Sequence, residues 1–195
     1  MILAAAGITM TLATGALVST SATPAEAEKA QPVVITAQAA PAPTPETAPQ
    51  PSYYDVPLSH ELQDVVFREA ERWGVPPALL LAMMDQESDY RTDIISSTDD
   101  YGIMQINAIN HPRLREELGI TDFMDPEQSI TCGAYMIGEL LDKYDGDLHH
   151  ALTAYNRGEG GASKYFRNNG TYETTYSLSI EETYLALEGG DGTCR

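Results

Sequence analysis

Residues Ala78 to Met84 are apolar without interruption, and the pair Pro76-Pro77 precedes them. Proline suits the first turn of a helix, where its fixed φ is helical and its missing N–H is not needed. A helix apolar on every side must lie in the middle of a domain, so this run predicts a buried helix from Pro77 to Ser88 around which the rest folds. Near its end stands Glu87, at i+7 from Leu80, i+4 from Met83 and i+3 from Met84. That spacing puts a carboxylate on the apolar stripe. Burial there disfavours the ionised form and raises the pKa, the condition for a general acid at neutral pH. A Glu at this place can instead pair with an arginine or cap a neighbouring helix.

The flanking sequence predicts more helices and no convincing strand, so the fold class is mainly α. Ser59 is placed to cap a helix carrying Leu62, Val65, Val66, Ala70 and Trp73, with Gly74 beyond its end. Asp89 to Tyr101 has no period and is expected to be a loop; Gly102 to Asn110 is a turn with an irregular or strand-like piece. Pro112 to Leu118 can form a short helix. Asp125-Pro126-Glu127-Gln128 is a helix start with the pattern of a capping box, and that helix is expected to run to Tyr144. Asp147 opens another that ends near Gly158, with Gly160 and Gly161 supplying a bend. A last helix is expected from Tyr176 to Leu187.

Outside this region the composition changes. Residues 1–27 are apolar and small up to Val18 and offer Ala25-Glu26-Ala27 as a cleavage pattern, which predicts a signal peptide. Without cleavage the same stretch would anchor the chain to a membrane. Residues 28–52 are rich in Pro, Ala and Thr and are expected to be an extended linker. The folded domain is then 53–195. The 195-residue chain carries a formal charge of −18, of which only two units fall before Tyr53. Such an excess disfavours nucleic acid as a partner. Cys132 and Cys194 make an even count that suggests a disulfide in a secreted chain, although Cys132 could equally be a core thiol. No Cys/His spacing resembles a metal site; no metal and no cofactor are expected.

Three short patterns occur in order: Glu87-Ser88-Asp89-Tyr90, Gly102-Ile103-Met104-Gln105-Ile106 and Ala154-Tyr155-Asn156-Arg157-Gly158. Together they closely resemble the soluble lytic transglycosylase catalytic domain, whose lysozyme-like fold is related to goose-type lysozyme. The resemblance covers about residues 58–180. It implies a helical domain with a substrate cleft, acting as a monomer on peptidoglycan strands outside the cytoplasm. It also implies that Glu87 is the sole catalytic residue, first an acid and then a base, cleaving between N-acetylmuramic acid and N-acetylglucosamine to leave a 1,6-anhydro ring. By the same resemblance Ser88, Gly102, Ile103, Met104, Gln105, Tyr155 and Asn156 bind substrate. Glu173-Thr174-Thr175-Tyr176 with Ile180 is similar to a further family segment, one residue shorter here. It implies that Tyr176 holds Glu87, with Tyr184 as the alternative.

Where the family carries small residues before the second pattern, this chain has Ser97-Thr98-Asp99-Asp100-Tyr101. Asp99 or Asp100 could supply a second carboxylate that activates water, making a hydrolytic muramidase. Solvation of an acidic loop is the plainer explanation. A peptidoglycan-binding module without activity is a further alternative, and it would have no use for a proton donor.

Overall fold

The computed structural model describes residues Ser52 to Gly189. The proposed signal peptide lies outside the described residues, as do the linker except for Ser52 and the second cysteine, Cys194. Helix α1 (His60–Trp73) begins where the Ser59 hydroxyl accepts from the Leu62 N–H and ends at Gly74, φ 66°. Helix α2 (Pro77–Ser88) follows after a short extended link and starts on Pro77. Every residue from Ala78 to Met84 is at most 2 % exposed, so the apolar run is the centre of the molecule. Helices α1 and α6 (Thr175–Glu188) pack on it, α4 (Pro126–Lys143) lies against α1, and α5 (Leu148–Asn169) bridges α4 and α6. The chain leaves α2 abruptly through Asp89 and Tyr90, both at positive φ.

Between α2 and α4 lies a small antiparallel ribbon of β1 (Asp100–Tyr101) and β2 (Ile106–Asn107), in register Asp100 with Asn107 and Tyr101 with Ile106. A 3₁₀ turn and α3 (His111–Leu118) follow. The ribbon corrects the reading of Asp89 to Tyr101 as wholly loop. Two-residue strands have no alternation to detect. Its turn needs Gly102, at φ 70°, since a Cβ there would stand 2.6 Å from the Phe123 carbonyl oxygen and 3.1 Å from Ser129 Oγ. His111 fastens the ribbon from below, bonded to the Ile106 carbonyl at 3.1 Å and stacked on Phe123.

Two further expectations change. Asp125 caps α4 through the Gln128 N–H at 2.9 Å, but the Gln128 amide oxygen takes the Thr121 and Asp122 N–H groups, so its side chain serves the preceding loop and does not close the expected capping box. The helical stretch opened by Asp147 ends at Gly158 as expected, but α5 as a whole runs on beyond it. It kinks at that residue, at φ 68° and ψ 159°, and resumes through Gly160 and Gly161 to Asn169. Glycine alone accommodates that pair of angles readily, so the bend comes earlier than the two later glycines suggested. Cys132 sits in α4 fully buried, and burial pushes its thiol up to about 12.

Candidate active site

A cleft of about 510 Å³ opens between the ribbon, α4 and α5, and Glu87 and Asp100 both line it. Glu87 comes from the last turn of α2, where the helix emerges from the core. From α6, 89 residues further on, the Tyr176 hydroxyl donates a short hydrogen bond to Glu87 Oε1. Tyr155 of α5 stands close to both and donates its hydroxyl proton to the Met104 carbonyl at 2.9 Å. Burial drives both tyrosines well above the ordinary phenol range, and the neighbouring Glu87 charge adds to it. They are therefore proton-bearing donors throughout the physiological range.

The remaining residues singled out in the sequence fall into two layers. Gln105 and Asn156 line the cleft; the Gln105 amide donates to the Gly102 carbonyl at 2.8 Å. Gly102, Ile103 and Met104 are buried behind the wall. Gly133 of α4 leaves the room that Met104 fills, since a Cβ there would meet the Met104 side chain at 2.3 Å. Ser88 is 2 % exposed, and its hydroxyl faces the carbonyls of Met84 at 3.1 Å and Ile103 at 2.9 Å. In this position it ties the end of α2 to the ribbon turn.

Several lining residues carried no signal in the sequence. Arg113 and Met136 project from helices α3 and α4, and Leu140 extends the α4 wall. Arg113 is committed to the Glu139 carboxylate at 2.8 Å and to Glu117 at 3.1 Å. Nothing in a helical periodicity distinguishes such residues from ordinary core or surface positions. Arg157, Gly158 and Glu159 reach the cleft because α5 kinks at that point. Among the described residues no group of three His, Cys, Asp or Glu side chains converges as a metal site would require.

Two of the three carboxylates that line the cleft, Glu87 and Asp100, are driven in opposite directions; the third, Glu159, is paired with Lys143. Burial pushes Glu87 up to about 7; the Tyr176 hydrogen bond restrains the rise, and the negative charge of Asp100 adds to it. Burial would raise Asp100 too, but hydrogen bonds from Ser96, Thr98 and Asn107 outweigh it and hold the group below its ordinary value. At neutral pH the cleft thus presents one carboxyl group that still holds its proton in a large fraction of molecules, beside one that is ionised. Such separation suits an acid that protonates a leaving group at pH 7. Asp99 is exposed, and its φ of 61° places it in the turn before β1.

The family model for the transglycosylase SLT domain matches residues 64–178. Membrane-bound lytic murein transglycosylase C of Edwardsiella ictaluri is 28 % identical over 127 residues, which are 57 % of this chain and 35 % of that protein. Its namesake from Yersinia pestis (strain Pestoides F) is equally similar, at 28 % with the same coverage. The chain thus spans about a third of the length of these curated relatives. The crystal structure of the 70 kDa soluble lytic transglycosylase of Escherichia coli superposes with a TM-score of 0.57 at 19 % identity, covering 70 % of this chain and 26 % of that one. That of an inactive mutant of lytic transglycosylase Slt from Pseudomonas aeruginosa gives 0.52 at 21 %, covering 67 % and 22 %. At these identities the likeness is one of fold.

Proposed function

The chain belongs to the transglycosylase SLT domain family, and from that premise we propose that it cleaves peptidoglycan between N-acetylmuramic acid and N-acetylglucosamine without water. Glu87 gives its proton to the glycosidic oxygen, the bond from that oxygen to C1 of the muramic acid breaks, and positive charge develops at C1. The C6 hydroxyl of the same sugar then attacks C1, and its proton goes to the Glu87 carboxylate. A 1,6-anhydro ring and a free N-acetylglucosamine end result, and Glu87 is again protonated. No water is consumed and no cofactor is required.

The observation that carries this reading is Glu87 itself: a carboxyl group at the wall of a cleft, titrating near 7 and gripped by Tyr176. The hydroxyl of Tyr176 fixes the direction in which the acid points, which matters because proton transfer demands hydrogen-bond reach. Gln105 and Asn156 offer amides suited to the hydroxyl and acetamido groups of the sugars, and Met136 and Leu140 offer apolar surface to ring faces. A cleft of this volume accommodates a few sugar units. The named relatives are membrane-bound murein transglycosylases, and together with the apolar N-terminal stretch this supports action in the cell envelope, outside the cytoplasm. No described helix is long and apolar enough to cross a membrane.

The test is product analysis on purified peptidoglycan with the wild type and Glu87→Gln side by side. The wild type is expected to release muropeptides with anhydro ends, lighter by one water than hydrolysed ones. The variant, whose amide cannot donate the proton, is expected to release none while remaining folded. Fully hydrated products, or normal lysis by the variant, would overturn the assignment.

A further inference from the structure

Asp100 is more elaborately held than a solvated loop acid. The hydroxyls of Ser96 and Thr98 donate to its Oδ2 at 2.6 and 2.5 Å, and the Asn107 amide donates to its Oδ1 at 2.7 Å. Its backbone is pinned as well: the Asp100 N–H bonds Ser96 Oγ, its carbonyl takes the Ser96 N–H, and the residue pairs with Asn107 across the ribbon. All three side-chain donors are neutral. Among the described residues no Lys or Arg forms an ion pair with it. Of the two arginines that line the cleft, Arg113 is matched by Glu139 and Glu117, and the Arg157 guanidinium lies over the Tyr165 ring. An anion so placed is rigid and has no ion-pair partner among the described residues, and its field extends into the cleft it lines.

We propose that Asp100 is a second member of the reaction centre, an anion that stabilises the positive charge formed at the anomeric carbon and, beforehand, keeps the proton on Glu87. This rests on the reading of Glu87 as the acid. Preoriented charge of this kind costs no reorganisation when the reacting charge appears, and that is why it is effective in a sheltered site. The groups facing Glu87 are Tyr176 from α6, Tyr155 from α5 and Asp100 from β1, and of these only Asp100 carries charge at neutral pH. Its three hydrogen bonds also make it a weak base. It therefore leaves the proton on Glu87 at the start, and it is poorly suited to deprotonate a water molecule. Once Glu87 has protonated the leaving oxygen, two anions flank the cationic sugar. When the C6 hydroxyl attacks, its proton goes to Glu87, whose affinity for it Asp100 has raised. One proton leaves Glu87 and one returns, so the step balances without water.

The experiment compares wild type, Asp100→Asn, Asp99→Asn and Glu87→Gln on purified peptidoglycan from about pH 4 to pH 9, with muropeptides quantified by mass spectrometry. Asp100→Asn is expected to lose about 10²-fold in rate and to shift the alkaline fall of activity to lower pH, because Glu87 then gives up its proton more easily. Asp99→Asn, the same charge change on an exposed neighbour, is expected to keep the wild-type rate. Wild-type rate and an unmoved alkaline limb in Asp100→Asn would overturn the proposal, and so would an equal loss in Asp99→Asn. Should Asp100→Asn fail to fold by circular dichroism, Asp100→Ser removes the charge while keeping a hydroxyl in the ribbon, and the same limits apply. Hydrated products from the wild type would overturn the transglycosylase reading alone, since the variant-to-wild-type ratio and the position of the limb still decide the role of Asp100.

Discussion

Keeping a proton on Glu87 at neutral pH has a cost in stability whose sign and size can be worked out. The carboxyl group titrates at about 7 in the folded protein, against 4.5 for an ordinary Glu. Between those values the folded state holds a proton that the unfolded chain has lost, so stability falls as pH rises through the window. Below it both states are protonated and there is no penalty. Above it the penalty is complete, and at about 1.4 kcal/mol per unit it amounts to about 3 kcal/mol. Glu87→Gln removes the titration and keeps the shape, and its amide oxygen can still accept from Tyr176. The variant should therefore match the wild type at about pH 4 and exceed it by about 3 kcal/mol at about pH 8.5, a Tm difference of roughly 10 °C for a domain of this size. Thermal melts and urea titrations at the two pH values measure this. A difference that is absent, or equal at both pH values, would mean that Glu87 is not held as an acid, and the mechanism would lose its proton source.

The Tyr176 bond restrains the Glu87 pKa, so Tyr176→Phe should move the alkaline limb of the activity profile upward, opposite to Asp100→Asn. Loss of orientation should slow cleavage about tenfold, and a limb that moves down would contradict the arrangement. Gly102→Ala meets both a positive φ and a backbone oxygen 2.6 Å from its new Cβ, so it should cost more than about 2 kcal/mol. Gly74→Ala, with a positive φ and nothing within 4 Å, should cost only about 1 kcal/mol. Equal losses in their thermal melts would remove the steric explanation.

Much of the fold could be read from residues whose effects are local. Ser59, Pro77, Asp125 and Asp147 start helices where their capping chemistry says they should. The apolar run fixed α2 as the core because nothing else can cover four sides of a helix. The site was harder to read, because its geometry depends on contacts distant in sequence. Tyr176 meets Glu87 only because α6 lies on α2, and the family-like segment that singled it out is one residue short, which left Tyr184 as the alternative. Ser88 reads equally well as a ligand-facing hydroxyl or a backbone tie until the Ile103 carbonyl is seen 2.9 Å away. Asp100 and Asp99 are adjacent acids with the same composition around them. They differ in register: β1 begins at Asp100 and brings Asn107 across to it, while Asp99 is spent on the turn. The break near Gly158 was legible, but the bend was assigned to Gly160 and Gly161, since any of the three glycines could make it.

The grip of Tyr176 on Glu87 also sets an order in time. Glu87 belongs to the second of the described helices and Tyr176 to the last of them, so a chain made from its N-terminus carries its acid before it carries the hydroxyl that aims it. Until α6 docks on α2, the Tyr176 hydroxyl is not in place to orient the carboxyl group, and the burial that raises its pKa is incomplete. In the proposed mechanism, proton donation by Glu87 is thereby tied to the docking of α6, the last of the described helices.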